Sequence, residues 1–351
     1  MLYRAVRAAD QSPVCAARDV ATRDLAEWAD PTRGYVSGVK ILVVTNMYPT
    51  QREPWFGVFV KEQIDSIRSA GVDVDVFSFD ARPDSRIYLR AARLVRTLVS
   101  SKAFDLVHAH YGLTGAVALA QRSVPVVTTF HGSETGEVPW QAWVSSIVAR
   151  ASTPIFVSNQ NAEALGFSGA AVIPCGIDLS FFTPKQPAEA RRILGWDQRL
   201  KYVLLPGGKR NGSKAPWVFD AALAEARRRG LRVEGVSLEG YSRDEVVNVM
   251  NAIDVMLMTS RWEGSPMTVK ESLACCTPVV SVPVGDVEEI LPGLPGCFVV
   301  ERDPKALAQA LLEAIEAGKS PTLRLSLARF SQDEIARRVI DVYERVAAPK
   351  L

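Results

Sequence analysis

Histidine and cysteine are scarce in this sequence, and the few present are not spaced for metal or disulfide chemistry. The three His are His108, His110 and His131. The five Cys (Cys15, Cys175, Cys275, Cys276 and Cys297) show no C-x-x-C spacing, and two are adjacent. That excludes a zinc site and a disulfide framework, and it suits a reducing cytosol. Long apolar runs are missing too. None reaches membrane-spanning length, and residues 1–38 lack the apolar stretch of a signal peptide. Those residues read as a loose N-terminal extension with a short helix around Asp19–Trp28, or as an over-long gene start. Neither charge sign is in large excess, and a net charge of +2 argues against a dedicated nucleic-acid binder. Asn46-Met-Tyr-Pro follows the first strand-like run where a dinucleotide-binding domain would carry G-x-G-x-x-G, which counts against a dehydrogenase. Leu205–Lys214 (LPGGKRNGSK) approaches a P-loop, but Ser213 and Lys214 stand in the wrong order. Asp254 begins its strand instead of ending it, so no carboxylate is set for Mg²⁺, and an NTPase is disfavoured.

Apolar residues make up 48% of the chain, enough for a sizeable core in one large or two medium domains. Val39–Thr45 (VKILVVT) is a continuous apolar run of the kind buried in parallel sheets. Val72–Phe77, Asp105–Ala109, Val126–Thr129, Pro154–Val157 and Ala171–Ile173 follow, with helical patterns between them. After the turn-rich join Gly176–Pro184 the pattern restarts. The second series is Tyr202–Leu205, Arg232–Val236, Asp254–Met258, Val279–Ser281 and Cys297–Val300, with a helix over Pro216–Arg229. Such alternation predicts parallel α/β sheets. Two units joined this way predict a cleft, with ligands at the carboxyl ends of the strands.

The most informative stretch is Arg261–Glu289. After a strand comes a loop with Glu263 and Gly264. Ser265 and Pro266 then read as a helix start, with Ser265 as N-cap and Pro266 in the first helical position. The free amides of Met267, Thr268 and Val269 and the helix dipole form an anion site there. Glu271 sits about a turn deeper. Two carboxylates flanking a phosphate site fit a nucleoside diphosphate sugar, one for the ribose hydroxyls and one for the sugar hydroxyls. A capped surface helix with a solvated Glu is the plainer alternative.

Glu263-x7-Glu271, with GSPMTVKESLACCTPVVS and Gly285-Asp286-Val287, resembles the donor-site signature of family-4 glycosyltransferases of the GT-B fold. The wording is most similar to the branch that contains the teichuronic-acid-type enzymes, and YPTQREPWFGVFVKEQ resembles that branch's first loop. The resemblance covers nearly everything from Val39 to Leu351. It implies two Rossmann-like parallel-sheet domains facing each other across a cleft. An acceptor domain would span residues 39–183 and a nucleotide-sugar donor domain 184–328. Residues 329–351 would form a helix that returns to the first domain.

By the same resemblance, Glu271 holds the ribose, while the amides of Thr268 and Val269, Lys214 and Arg210 hold the diphosphate. Glu263, the residues from Gly264 through Ser265, Pro266 and Met267, and His131 hold the sugar. Gly57 borders the acceptor and the departing diphosphate. Gly132 lets the backbone crowd a ligand beside His131. From the residues alone, Gly57 also reads as a helix start that needs close packing, and a lone histidine such as His131 as a satisfied structural residue, although Gly132 places His131 better than most. Two departures from the family pattern stand out. Asn211 occupies the position three before Lys214 where the branch has Arg, so Arg210 or Lys209 must substitute. Glu134 stands where the family's His-Gly-Ser loop has Asp.

The implied activity is retaining, metal-independent, hexosyltransferase-type transfer without a cofactor. A UDP- or GDP-sugar is the favoured donor and a saccharide or lipid-linked molecule the acceptor, in cell-surface polysaccharide or glycoconjugate synthesis. A non-catalytic GT-B subunit that binds a nucleotide sugar or glycan is the alternative. Ser85–Lys102 reads as a basic amphipathic helix. It is either a solvated face over a core stripe or a contact for anionic lipid, which would put a cytoplasmic protein on the inner face of the plasma membrane.

Overall fold

The structure, a computed structural model, describes residues 39–82 and 84–347. The N-terminal extension expected over residues 1–38 lies outside the described residues. The first sheet has six parallel strands in the order β2-β1-β3-β4-β5-β6. Their ranges are β1 Lys40–Thr45, β2 Asp73–Ser78, β3 Leu106–His110, β4 Val126–Phe130, β5 Thr153–Phe156 and β6 Ala171–Val172. The second sheet has five parallel strands in the order β11-β10-β9-β7-β8. These are β7 Lys201–Leu205, β8 Val233–Ser237, β9 Val255–Met258, β10 Val279–Ser281 and β11 Phe298–Val299.

Each sheet is sandwiched by helices, which is why its strands read as continuous apolar runs. Ile41 through Val44 are at most 1% exposed. Burying each such side chain stabilises by about 1.5–3 kcal/mol relative to leaving it in water. One face of the first sheet packs helix Val58–Ser69 and the last helix, Gln332–Ala347. Ile335, Ala336, Val339, Val342 and Tyr343 form a stripe with helical spacing and are buried against Ile41, Val43, Val60 and Ile64. The last helix therefore belongs to the core of the first sheet although it follows the second. The chain crosses between the sheets twice, and the two crossings pair side by side. Ile177 N–H donates to Phe330 O at 2.8 Å and Gln332 N–H to Ile177 O at 3.2 Å.

In both sheets the strand order reverses once. The reversal lies at β1/β3 in the first and at β7/β9 in the second. Loops leaving the strand ends diverge at such a point and open a crevice there. Lys214 follows β7 and Glu263 follows β9, so the two flank the crevice of the second sheet.

Candidate active site

Lys214 ends a short 3-10 turn, Gly212–Lys214. Its Nζ donates to Glu263 Oε1 at 2.6 Å, and both side chains are mostly shielded from water. Gly207 has φ +115°, and its missing side chain makes room for the Lys214 stem, 3.2 Å from where a Cβ would sit. The turn is held by Asn211, whose Oδ1 accepts from Ser213 N–H at 3.1 Å and from Ser213 Oγ at 3.0 Å. The residue standing in place of the family's Arg thus serves as the cap of this turn. Arg210 does not take over the missing role. Its side chain is 92% exposed and bonds Glu239 Oε1 at 2.7 Å. Lys209 is exposed too, 3.8 Å from Asp220. Arg210 is therefore corrected from a diphosphate contact to a surface ion pair.

The helix after Glu263 runs Met267–Ala274 with Pro266 as its N-cap. Ser265 is not the cap, because its hydroxyl is taken elsewhere. Ser265 Oγ donates to Asp286 Oδ2 at 2.5 Å and receives Lys270 Nζ. Lys270, fully buried, also pairs with Asp286 at 3.1 Å. Cys175 N–H donates to Ser265 Oγ at 3.3 Å, tying the inter-sheet linker to this loop. The Ser265 side chain is thus a strut, not a ligand contact. Val269 is corrected too: its N–H bonds Pro266 O at 3.2 Å. Among the described residues, the Met267 and Thr268 amides have no intramolecular acceptor, and Pro266 has no N–H to offer.

Glu271 is buried one turn into this helix. Burial raises its carboxyl to about 7; Arg243 opposes the rise and Glu62 adds to it. Arg243 was missed by sequence reasoning. It opens helix Arg243–Ala252 and sits 3.7 Å from Glu271. It bonds Glu62 of the first domain and stacks over Phe181 and Phe182 with centroids at 5.1 and 5.3 Å. Below pH 4.5, Glu271 is neutral in the folded and the unfolded chain alike, and its contribution to stability is fully present. That contribution is lost as pH rises to about 7. Glu271→Gln, neutral throughout, should therefore melt at increasingly higher temperature relative to wild type across that window. A pH-independent offset in thermal melts would show that the carboxyl is not held this way.

From the first domain, His131 and Gly132 follow β4. Their N–H groups donate to the buried Glu134 carboxylate at 2.6 and 2.9 Å. Burial lifts that carboxyl to about 7 against the pull of those amides. Glu134 thus shapes the loop from beneath, a role its extra methylene does not prevent. His131 Nε2 lies 3.1 Å from His110 Nδ1, and burial holds the His131 ring at about 3, so it is neutral at physiological pH. His108 is a structural histidine, bonded to Tyr343 OH at 2.6 Å and Thr129 Oγ1 at 2.8 Å. Gly57 has φ +71°, and a Cβ there would lie 2.3 Å from Met47 C. The space beside Gly57 is filled by backbone, so close packing accounts for a glycine at this position.

The two domains meet backbone to backbone. Gly132 has φ +136°, and a Cβ on it would lie 2.8 Å from Gly264 Cα. A Cβ on Gly264 would lie 1.8 Å from His131 O. Trp262 Nε1–H donates to Gly132 O at 2.8 Å, and Gln160 Oε1 accepts from Gly285 N–H at 2.6 Å. The structure thus brings His131 and Gly132 against Glu263 and Gly264. Lys214 joins them through Glu263, and Glu271 lies along the helix that follows.

Two facing parallel-sheet domains with the site at the carboxyl ends of their strands define the GT-B architecture. The model of Glycosyltransferase Family 4 matches residues 37–181, and the model of Glycosyl transferases group 1 matches residues 196–317. The chain belongs to the family-4 glycosyltransferases of the GT-B fold. It is 27% identical over 348 aligned residues to "Putative teichuronic acid biosynthesis glycosyltransferase TuaC" of Bacillus subtilis (strain 168), covering 78% of this chain and 88% of that protein. It is 28% identical to a D-inositol 3-phosphate glycosyltransferase of Mycolicibacterium gilvum (strain PYR-GCK), covering 70% and 67%. Among solved structures, sucrose-phosphate synthase from Thermosynechococcus elongatus shares the fold. Its TM-score is 0.72 at 19% identity, over 88% of this chain and all of that one. HepE of Anabaena in complex with UDP and glucose shares it too, with TM-score 0.64 at 18% identity over 87% and 99%.

Proposed function

We propose that this chain transfers a hexose, with retention of configuration and without a metal or cofactor, from a nucleoside diphosphate sugar to a saccharide or lipid-linked acceptor. We place the reaction at the cytoplasmic side of cell-surface glycoconjugate synthesis. The observation that carries the proposal is the pairing of Lys214 with Glu263 in the loop whose Gly264 lies against His131, just ahead of the unbonded amides of Met267 and Thr268. Lys214 and those amides hold the diphosphate, Glu271 the ribose, and Glu263 with His131 the sugar hydroxyls. In the reaction the bond from the anomeric carbon to the phosphate oxygen breaks. The acceptor oxygen bonds that carbon, and its proton passes to the leaving phosphate. Lys214 offsets the charge that grows on the phosphate, and domain closure keeps water out.

One observation favours a second reading, a subunit that binds donor or glycan without turnover. With Asn211 in the turn and Arg210 facing outward, Lys214 is left without the Arg that accompanies it in the family. A thermal-shift screen of UDP-, GDP-, ADP- and CMP-sugars, followed by transfer assays with the donor that stabilises, separates the two. Stabilisation with transfer supports the enzyme. Stabilisation with neither transfer nor slow hydrolysis supports the subunit, and stabilisation by none of the four contradicts both.

A further inference from the structure

Three helices cover one face of the first sheet side by side: Ile87–Ser101, Gly112–Ala118 and Pro139–Ala151. Each packs against the next. None contains an Asp or Glu, although the chain carries 39 of them. Arg90, Arg93 and Arg96 point outward from the first helix and Arg150 from the third. Apolar side chains share this outer face. Trp140, Trp143 and Ile147 are 57%, 68% and 49% exposed and, at spacings of three and four, form one stripe along helix Pro139–Ala151. Leu89 is 67% exposed among the arginines of the first helix. The nearest carboxylates in sequence, Asp84 and Glu137, flank these helices: Asp84 is paired with Arg86, and Glu137 caps the preceding short turn.

Exposed tryptophans are costly in water and favourable at the headgroup level of a bilayer, where the ring is wet on one side and apolar on the other. Arginines on helices that carry no carboxylate of their own add attraction to anionic headgroups, with Asp84 the one acidic group felt at Arg90 among the described interactions. Helices that start at the carboxyl ends of parallel strands begin at the cleft rim. Trp140 therefore stands just after the His131–Gly136 loop of the site.

We infer that this three-helix face is a docking surface for an anionic lipid bilayer, with Trp140, Trp143 and Ile147 entering the headgroup layer and Arg90, Arg93 and Arg96 engaging its charge. The surface stands on its own residues. It rests on the glycosyl-transfer reading only for what it delivers, an acceptor presented from the membrane at the cleft mouth.

The test is flotation of the full chain with phosphatidylcholine vesicles, with and without phosphatidylglycerol, at low and high salt. Neither donor nor turnover is involved, so this inference and the reading of the active site can fail separately. Wild type should float with the anionic vesicles at low salt and be released by salt. Arg90, Arg93 and Arg96 changed to Gln should weaken binding by about fivefold per residue. Trp140→Ser with Trp143→Ser should weaken it by about tenfold or more. Melting curves of both variants check that the fold is kept. Wild type that ignores anionic vesicles, or variants that float as wild type does, would overturn the proposal. So would a Trp variant that changes only the oligomeric state of the lipid-free protein, since the face would then belong to a second copy of the chain.

Discussion

Lys214→Ala should lose about 10²–10³-fold in kcat and less than about tenfold in affinity for the donor nucleotide. The reason is geometric. Lys214 is the one basic side chain that the structure brings to Glu263 among the described residues, at 2.6 Å in a shielded pocket. A charge there acts on the phosphate most strongly as the phosphate leaves, so its removal raises the barrier more than it weakens binding. Arg210→Ala is the control. Its guanidinium is solvated and paired with Glu239, so turnover should stay near wild type. Steady-state kinetics and nucleotide titration measure both. Equal, small losses in the two variants would remove Lys214 from the chemistry.

Gly264→Ala should cost about 10²-fold in turnover while leaving the melting temperature close to wild type. The added Cβ would lie 1.8 Å from His131 O, a backbone atom of the other domain that cannot swing aside. Each domain can fold around the substitution, because the clash exists only when the two come together. Small-angle scattering should show the variant more open than wild type under the same conditions. Wild-type turnover in this variant would mean that the closed contact between the two glycine-bearing loops is not part of catalysis.

The strands were legible because the central ones, β1, β3, β4, β9 and β10, are short apolar runs buried on both faces, and the alternation of strands with helices leaves few topologies open. Lys214, Glu263 and Glu271 were named from a different signal, the resemblance of the loop after β7 and of the loop and helix after β9 to the family's motif. What the sequence hid was competition between partners. A Ser before a Pro reads as a helix cap, yet the Ser265 hydroxyl is claimed by Asp286, 21 residues on. Arg243 opens a helix, and nothing in the sequence around it marks a partner. Its partner Glu62 is 181 positions away on the other domain, a pairing that no local pattern encodes. Arg210 sat near the right place in the sequence, but the turn capped by Asn211 sends it outward. The need for glycine at position 57 comes from the backbone of Met47 beside it, a contact that the local sequence does not spell out.

The most direct measurement is a crystal structure of this chain with a nucleoside diphosphate. The account predicts the pyrophosphate between Lys214 Nζ and the Met267 and Thr268 amides, with the ribose hydroxyls on Glu271. A nucleotide bound away from the cleft, or bound there with Lys214 and Glu271 both turned from it, would contradict the account.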